Sequence, residues 1–305
     1  MRIRSSFATL ILSATFMLAT TTTAIALDRS DATAPSQAAI EAGPPPRKNS
    51  TQRPVFFVKG YTPGDTCGSK WNSAAKLFNR SGWEGPLHRV GFYEEDDPEC
   101  DVRIDPEGKG TVDTSLKDLG RGLAWKIHDM YSAKGQTVDL VGHSMGGLII
   151  RAALAGYAKG DPTWPDTLYV EDVVTLGTPH KAAWLGAGCL PNLQCREMYY
   201  PRGAFRSWLG PKLSQAQGGT DWTLVSSNAD FSVSAGNGAP TDVGAQHLVR
   251  YSERADLGHS QLRTIRRAGA FPLRYTNNGG AWGGQRNGAA PLRVAMNALY
   301  WHSRW

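Results

Sequence analysis

The chain has 305 residues, of which 41% are hydrophobic and 20% charged, and it contains 34 Gly and 18 Pro. This composition is ordinary for a globular protein and excludes disordered, collagen-like and coiled-coil chains. The formal net charge of +6 is modest for this length, and no run of Lys and Arg accompanies it, so nucleic acid is not an expected partner.

The first 26 residues have the pattern of an export signal. Arg2 and Arg4 give a positively charged start, residues 7–19 are mostly apolar, and Ala-Ile-Ala at 24–26 fits the A-x-A cleavage pattern. The alternative is a buried first helix, but the polar stretch that follows contains no partner for one. We therefore expect a signal peptide over 1–26 and a secreted, extracellular protein.

Residues 27–52 are small and polar, which predicts a flexible leader before a single domain over 53–305. In that domain, apolar runs alternate with segments of helical periodicity, which is typical of a parallel sheet with helices on both faces. The predicted elements in chain order are strands at 55–58 and 90–93, a helix over 112–133 stopped by Gly135, a strand at 138–141, a helix over 147–157, strands at 172–176, 222–225 and 248–251, and a last helix over 292–299.

The four cysteines of the chain are Cys67, Cys100, Cys189 and Cys195. An even number in an exported chain predicts two disulfides, which allows three pairings. We favour 67–100 and 189–195 because each pair is local in sequence, and the loop-entropy model assigns them about 4 and 2 kcal/mol. The alternative is a zinc site, but no C-x-x-C or H-x-x-x-H spacing supports it, and we expect no metal.

The run GHSMG at 142–146 follows the predicted strand at 138–141 and precedes a predicted helix. Glycines are needed in such a turn because neighbouring backbone and side chains leave no room for a Cβ. The turn raises the hydroxyl of Ser144 above the sheet, near the positive end of the helix that follows. Ser144 is therefore the predicted nucleophile.

A nucleophilic serine also needs a base and an acid. Where a G-x-S-x-G turn between a strand and a helix carries the serine, the acid follows it in the chain and the histidine comes last. The histidines after Ser144 are His180, His247, His259 and His302. We predict His259 as the base, because it lies in a loop just past a strand, whereas His247 opens a strand and is expected to be structural.

Asp230 is the predicted acid, since it follows the strand at 222–225 and could orient the imidazole. Asp242 is the second candidate, and Asp256 would have to fold back over three residues to reach His259. For the oxyanion hole, the expected backbone donors are the N–H groups of Met145, after the nucleophile, and of Tyr61, after the first strand.

With these residues in place, the chain resembles the α/β-hydrolase superfamily, in particular its secreted bacterial lipases and esterases. The resemblance covers about residues 54–260 and rests on FVKGY at 57–61, GHSMG, LGTPH at 176–180 and the segments around Asp230 and His259. The usual His before the glycine of the first motif is Lys59 here. The resemblance implies an α/β-hydrolase fold, with a mostly parallel central sheet, helices on both faces and a cap or lid excursion after the sixth strand.

The resemblance also implies hydrolysis of carboxylic esters, often acylglycerols, by a triacylglycerol lipase or carboxylesterase that needs no cofactor. We expect a monomer that acts on a small-molecule or lipid ester. The excursion over 183–218 could form an apolar cap over Ser144 that also allows contact with a lipid interface, or it could simply pack on the core. Its apolar residues are Trp184, Leu185, Leu190, Leu193, Met198, Tyr199, Tyr200, Phe205, Trp208 and Leu209.

Two alternatives remain open for the function. The same three side chains could hydrolyse a polyester or an amide, or the fold could serve a binding or envelope protein without catalysis.

Overall fold

A single nine-stranded sheet organises the computed structural model, which describes residues 43–96, 99–182, 187–300 and 304–305. The strand order is β3-β2-β1-β4-β5-β6-β7-β8-β9. Strands β1 to β7 pair in parallel, and β8 and β9 are added antiparallel at one edge. The strands are β1 (Val55–Val58), β2 (Leu87–Gly91), β3 (Val102–Arg103), β4 (Val138–His143), β5 (Val170–Leu176), β6 (Asp221–Ser227), β7 (His247–Tyr251), β8 (Phe271–Asn277) and β9 (Arg286–Gly288).

Helices cover both faces of the sheet, as predicted. One face packs on the helices α2 and α3 together with α4 and α5, and the other face packs on α1 and α7. Strand β1 is apolar throughout because its side chains alternate between these two cores. The helices are α1 (Cys67–Arg80), α2 (Leu116–Met130), α3 (Met145–Ala158), α4 (Leu193–Tyr199), α5 (Ala204–Leu209), α6 (Ala235–Gly238) and α7 (Pro291–Ala298).

The nine elements predicted from the sequence are all present, and their bounds differ from the prediction by four residues or fewer. Strand β3 and the helices α1, α4, α5 and α6 were not predicted. Strands β8 and β9 were also missed, because they are antiparallel, partly exposed and lack a continuous apolar run. The excursion over 183–218 was expected after the sixth strand, and this position is wrong. It follows β5, since only five strands precede it in the described residues.

The described part of the predicted leader, residues 43–52, is bonded to the sheet. The Arg47 guanidinium lies 3.3 Å from Asp172 Oδ1, and the Lys48 N–H donates to Glu171 Oε1 at 2.9 Å. The two acids belong to β5, so they fix a segment for which the sequence predicted flexibility. The predicted signal peptide and residues 27–42 lie outside the described residues.

Both favoured disulfides are present, Cys67–Cys100 and Cys189–Cys195. Cys67 and Cys100 also lie with Asp96 in the one group of potential metal ligands that the described residues contain. Their sulfurs are bonded to each other and cannot serve as thiolate ligands, so the zinc alternative is wrong. None of the helices in the described ranges combines the length and apolarity that crossing a bilayer requires.

Candidate active site

Ser144 occupies a strained turn between β4 and α3. Its backbone has φ 55° and ψ −127°, a combination that residues with a side chain rarely adopt. A Cβ on Gly146 would lie 2.2 Å from the carbonyl oxygen of Val58, so the turn can only approach β1 with glycine at that position. The sequence therefore forms the predicted strand–turn–helix, with Ser144 half-buried at the carboxyl end of β4.

His259 and Asp230 are in direct contact. The imidazole Nδ1 lies 2.7 Å from Asp230 Oδ2. The other carboxylate oxygen accepts the backbone N–H groups of Ser232 and Val233, each at 2.9 Å. Asp230 is buried, and these bonds hold its carboxylate in one orientation towards the imidazole. The arrangement can fix the tautomer of His259 with the proton on Nδ1 and Nε2 available as a base.

The elbow and the His259–Asp230 pair both lie at the carboxyl ends of the parallel strands. A Cβ on Gly177, directly after β5, would lie 3.1 Å from Asp230 Oδ2 and 3.2 Å from His259 Nδ1. Among the described residues no hydrogen bond joins Ser144 Oγ to His259, although hydrogen bonds of this kind are often long before substrate binds.

His143, which sequence reasoning did not single out, connects Ser144 to His259. Its ring nitrogen Nε2 lies 3.0 Å from the backbone oxygen of His259, and the two ring centroids are 4.6 Å apart. Burial, together with the nearby His259, holds the pKa of His143 well below its usual value. His143 is therefore neutral and can donate to that backbone oxygen, which anchors the loop carrying the base. The sequence signal that could have identified His143 is its position directly before Ser144.

The other acids considered for this role lie elsewhere. Asp242 pairs with Lys181 at 2.9 Å on the surface. Asp256 is exposed and ends a short 3₁₀ helix with a φ of 50°. Of the three candidates, Asp230 is the one that contacts His259.

The other histidines after the serine have structural partners where the structure describes them. His247 lies between Asn277 and Asp221, at 2.7 and 3.3 Å. His180 is buried with its Nε2 2.9 Å from the Thr175 hydroxyl. His302 lies outside the described residues.

The two predicted oxyanion donors flank the serine. Met145 is the first residue of α3, and Tyr61 follows Gly60, where a Cβ would lie 2.8 Å from Ser144 Cβ. Within the described part of the chain, neither the Tyr61 N–H nor the Met145 N–H has a hydrogen-bond acceptor. Both donors are therefore available to a negatively charged oxygen formed at this turn.

An elbow serine after a central parallel strand, an acid after β6 and a histidine after β7 meet at the carboxyl ends of the strands. This chain order and the strand–turn–helix setting of the serine define one fold. The chain has the α/β-hydrolase fold. Lys59 stands at the position of the first motif where the resemblance implies a histidine.

Parts of the chain are similar to known proteins. The PGAP1-like alpha/beta domain family matches residues 122–188, a segment that includes β4, Ser144 and α3. No curated protein matches the chain.

Three solved structures illustrate the likeness. Aspergillus fumigatus lipase B is 13% identical, over 87% of this chain and 61% of its own, with a TM-score of 0.46. The Bacillus licheniformis lipase BlEst2 is 19% identical in both of its forms, each with a TM-score of 0.37. The match covers 66% of this chain and 85% of the mature form, and 67% of this chain and 47% of the propeptide form. This chain thus spans about half the length of the propeptide form.

The excursion of this α/β-hydrolase fold is attached to the body of the domain. The side-chain oxygen of Gln194 accepts the hydroxyl of Tyr93 at 2.6 Å, and its amide donates to the carbonyls of Thr111 and Thr114. Three of its apolar residues, Met198, Phe205 and Leu209, are buried in the core between the sheet and the helices α2 and α3. Packing on the core, the plainer of the two interpretations, therefore describes these three residues, while Trp184 and Leu185 lie outside the described residues.

Glu197 in α4 has an unusual acidity. Its carboxylate accepts the N–H of Leu116 at 2.7 Å, at the start of α2. Burial raises the pKa of Glu197 from 4.5 to about 7 even so. The folded state therefore holds the proton of Glu197 more tightly than the unfolded chain does. The protonated carboxyl contributes its full stabilisation below about pH 4.5, and this contribution is lost as the pH rises through about 7.

The variant Glu197→Gln tests whether the pKa of Glu197 is raised in the folded protein, because glutamine stays neutral at every pH. From pH 4.5 to 8, the free energy of unfolding of the variant should rise relative to that of the wild type by about 2 kcal/mol, after allowance for partial solvent screening. Urea unfolding at several pH values measures this difference. The exposed Glu107 provides a control, Glu107→Gln, with no such trend expected. A difference for Glu197→Gln that does not change with pH would contradict the assignment.

Proposed function

We propose that this protein is an exported serine hydrolase of carboxylic esters, of the lipase or esterase type. The observation that carries the proposal is the 2.7 Å contact of His259 Nδ1 with a buried Asp230, at the same sheet edge as an elbow serine of positive φ. A merely structural serine would have no reason to occupy so unfavourable a backbone conformation. The two disulfides support export, since they are typical of oxidising compartments.

In the proposed reaction, Ser144 Oγ attacks the ester carbonyl carbon while His259 Nε2 takes the hydroxyl proton. The oxygen of the tetrahedral intermediate carries a negative charge and accepts hydrogen bonds from the N–H groups of Tyr61 and Met145. The C–O bond then breaks, and the imidazolium donates its proton to the departing alcohol. Water attacks the acyl-enzyme in the same manner and releases the acid. Asp230 stabilises the imidazolium throughout.

A lipid-like ester is the substrate class that we favour, with contact to a lipid interface. Support comes from Phe231, which follows Asp230 in the chain and has 98% of its surface exposed. An exposed aromatic side chain beside the acid offers apolar contact to an acyl chain or to a lipid surface.

A substrate panel tests the proposal. The wild type and Ser144→Ala are assayed on p-nitrophenyl butyrate, emulsified triglyceride, polyester film and an anilide. We expect hydrolysis of the soluble ester and the triglyceride by the wild type alone. Hydrolysis confined to the film or the anilide would replace the substrate class by a polyester or an amide. No hydrolysis of any substrate would instead favour a binding protein.

A further inference from the structure

A fully buried ion pair lies at the base of the oxyanion loop, defined here as residues 59–66. Lys59, whose side chain is 0% exposed, pairs through Nζ with Asp96 Oδ1, also 0% exposed. The same ammonium donates to the carbonyl of Asp65 at 3.0 Å and lies over the rings of Phe92 and Tyr93, 5.2 and 4.7 Å from their centroids. Lys59 therefore joins the beginning of the oxyanion loop to its end.

Asp96 is itself fixed to the backbone. Its second carboxylate oxygen accepts the N–H groups of Phe92 and Tyr93, at 2.7 and 2.9 Å. The lysine is thus held by a carboxylate that has little freedom to move. The partner of that carboxylate, Lys59, lies two residues before Tyr61 in the chain.

Further bonds connect the oxyanion loop to the acidic segment that carries Asp96. The N–H of Gly64 donates to Glu95 Oε1 at 3.1 Å, and the Thr66 hydroxyl donates to Glu99 Oε2 at 2.9 Å. The disulfide between Cys67 and Cys100 closes the same interface. The ion pair is the member of this set in which both side chains are fully buried, and Lys59 is the member nearest to Tyr61 in sequence.

Stability alone does not account for such a pair. The desolvation of two buried charges commonly cancels their attraction, and apolar residues of similar volume often serve equally well. What a buried pair does supply is a fixed geometry. Each charge must stay close to its partner, because the attraction between them offsets the cost of burying both. Lys59 and Asp65, which the lysine bonds, lie on either side of Tyr61 in the chain, so these bonds limit how far the backbone between them can move.

We propose that Lys59 and Asp96 are positioning residues that hold the Tyr61 N–H at the place where the oxyanion forms. This role rests on the proposed ester hydrolysis. A loss of the pair should displace the donor and slow the chemical step, while the binding of substrate continues. A misplacement of about 1 Å costs on the order of 100-fold in rate.

The test compares Lys59→Met, Asp96→Asn and the double variant on p-nitrophenyl butyrate. The single variants leave one buried charge without its partner and are expected to lower the melting temperature. The double variant removes both charges and should recover much of that loss. For positioning residues, kcat of the double variant should nevertheless stay about 100-fold below the wild-type value, with KM changed less than about threefold.

A matched control is the exposed pair Lys109–Glu107, with side chains 75% and 83% exposed and 3.8 Å apart. The double variant Lys109→Met with Glu107→Gln should keep the wild-type kcat. The positioning role is overturned if the buried double variant keeps the wild-type kcat, or if the surface control loses as much. In either case, an active wild type leaves the proposed ester hydrolysis standing. An inactive wild type overturns the proposed hydrolysis and the positioning role together.

Discussion

Replacing Ser144 by glycine should abolish ester hydrolysis and at the same time make the fold more stable. The serine has φ 55° and ψ −127°, a region that is costly for any residue with a Cβ and open to glycine. Relief of this strain outweighs the greater flexibility of glycine in the unfolded chain, for a net gain of about 1 kcal/mol in the free energy of unfolding.

Ser144→Ala is the matched control, because alanine removes the same hydroxyl but keeps the strain. Both variants should lose about 10⁵-fold or more in kcat, whereas only the glycine variant should gain stability in urea unfolding. Equal stability of the two variants would mean that the strain in the turn is no larger than the entropic cost of glycine. Hydrolysis retained by either would remove Ser144 from the mechanism.

Asp230→Asn should lower kcat by about 10⁴-fold with little change in KM. The carboxylate accepts a hydrogen bond from the Nδ1–H group of His259, over 2.7 Å, whereas an amide can present an N–H to that nitrogen and select the wrong tautomer. The stability should fall as well, because the neutral amide oxygen accepts the N–H groups of Ser232 and Val233 less strongly than the carboxylate oxygen does. Steady-state kinetics well below the melting temperature separate these two effects.

Asp242→Asn serves as the control for this prediction, since that residue pairs with Lys181 on the surface. It should leave kcat unchanged. A small effect of Asp230→Asn combined with a large effect of Asp242→Asn would move the acid to the second candidate.

The central strands and the elbow could be predicted from the sequence because several local signals agree there. Strand β4 is buried on both faces and reads as an apolar run, and the glycines around Ser144 mark the turn. The half-exposed strands β8 and β9 carry no such signal. Even so, their absence from the prediction did not disturb the site, which lies at the parallel part of the sheet.

The side chains around the serine were predictable to different degrees. Chain order and the ends of strands limited the acid to three candidates, but only three-dimensional contacts separate Asp230 from Asp242. Lys59 was visible as a departure from the family motif, yet its partner Asp96 is 37 residues away. Contacts across such distances are set by packing, which no local pattern reports. The anchoring of residues 43–52 was missed for the same reason.

Labelling with a fluorophosphonate, followed by intact mass and peptide mapping, tests the central claim most directly. We expect one adduct per wild-type chain, located on Ser144, none on Ser144→Ala, and greatly slowed labelling of His259→Asn. Folded wild-type protein that takes up no label, or that takes it up equally after the loss of Ser144 or His259, would contradict it.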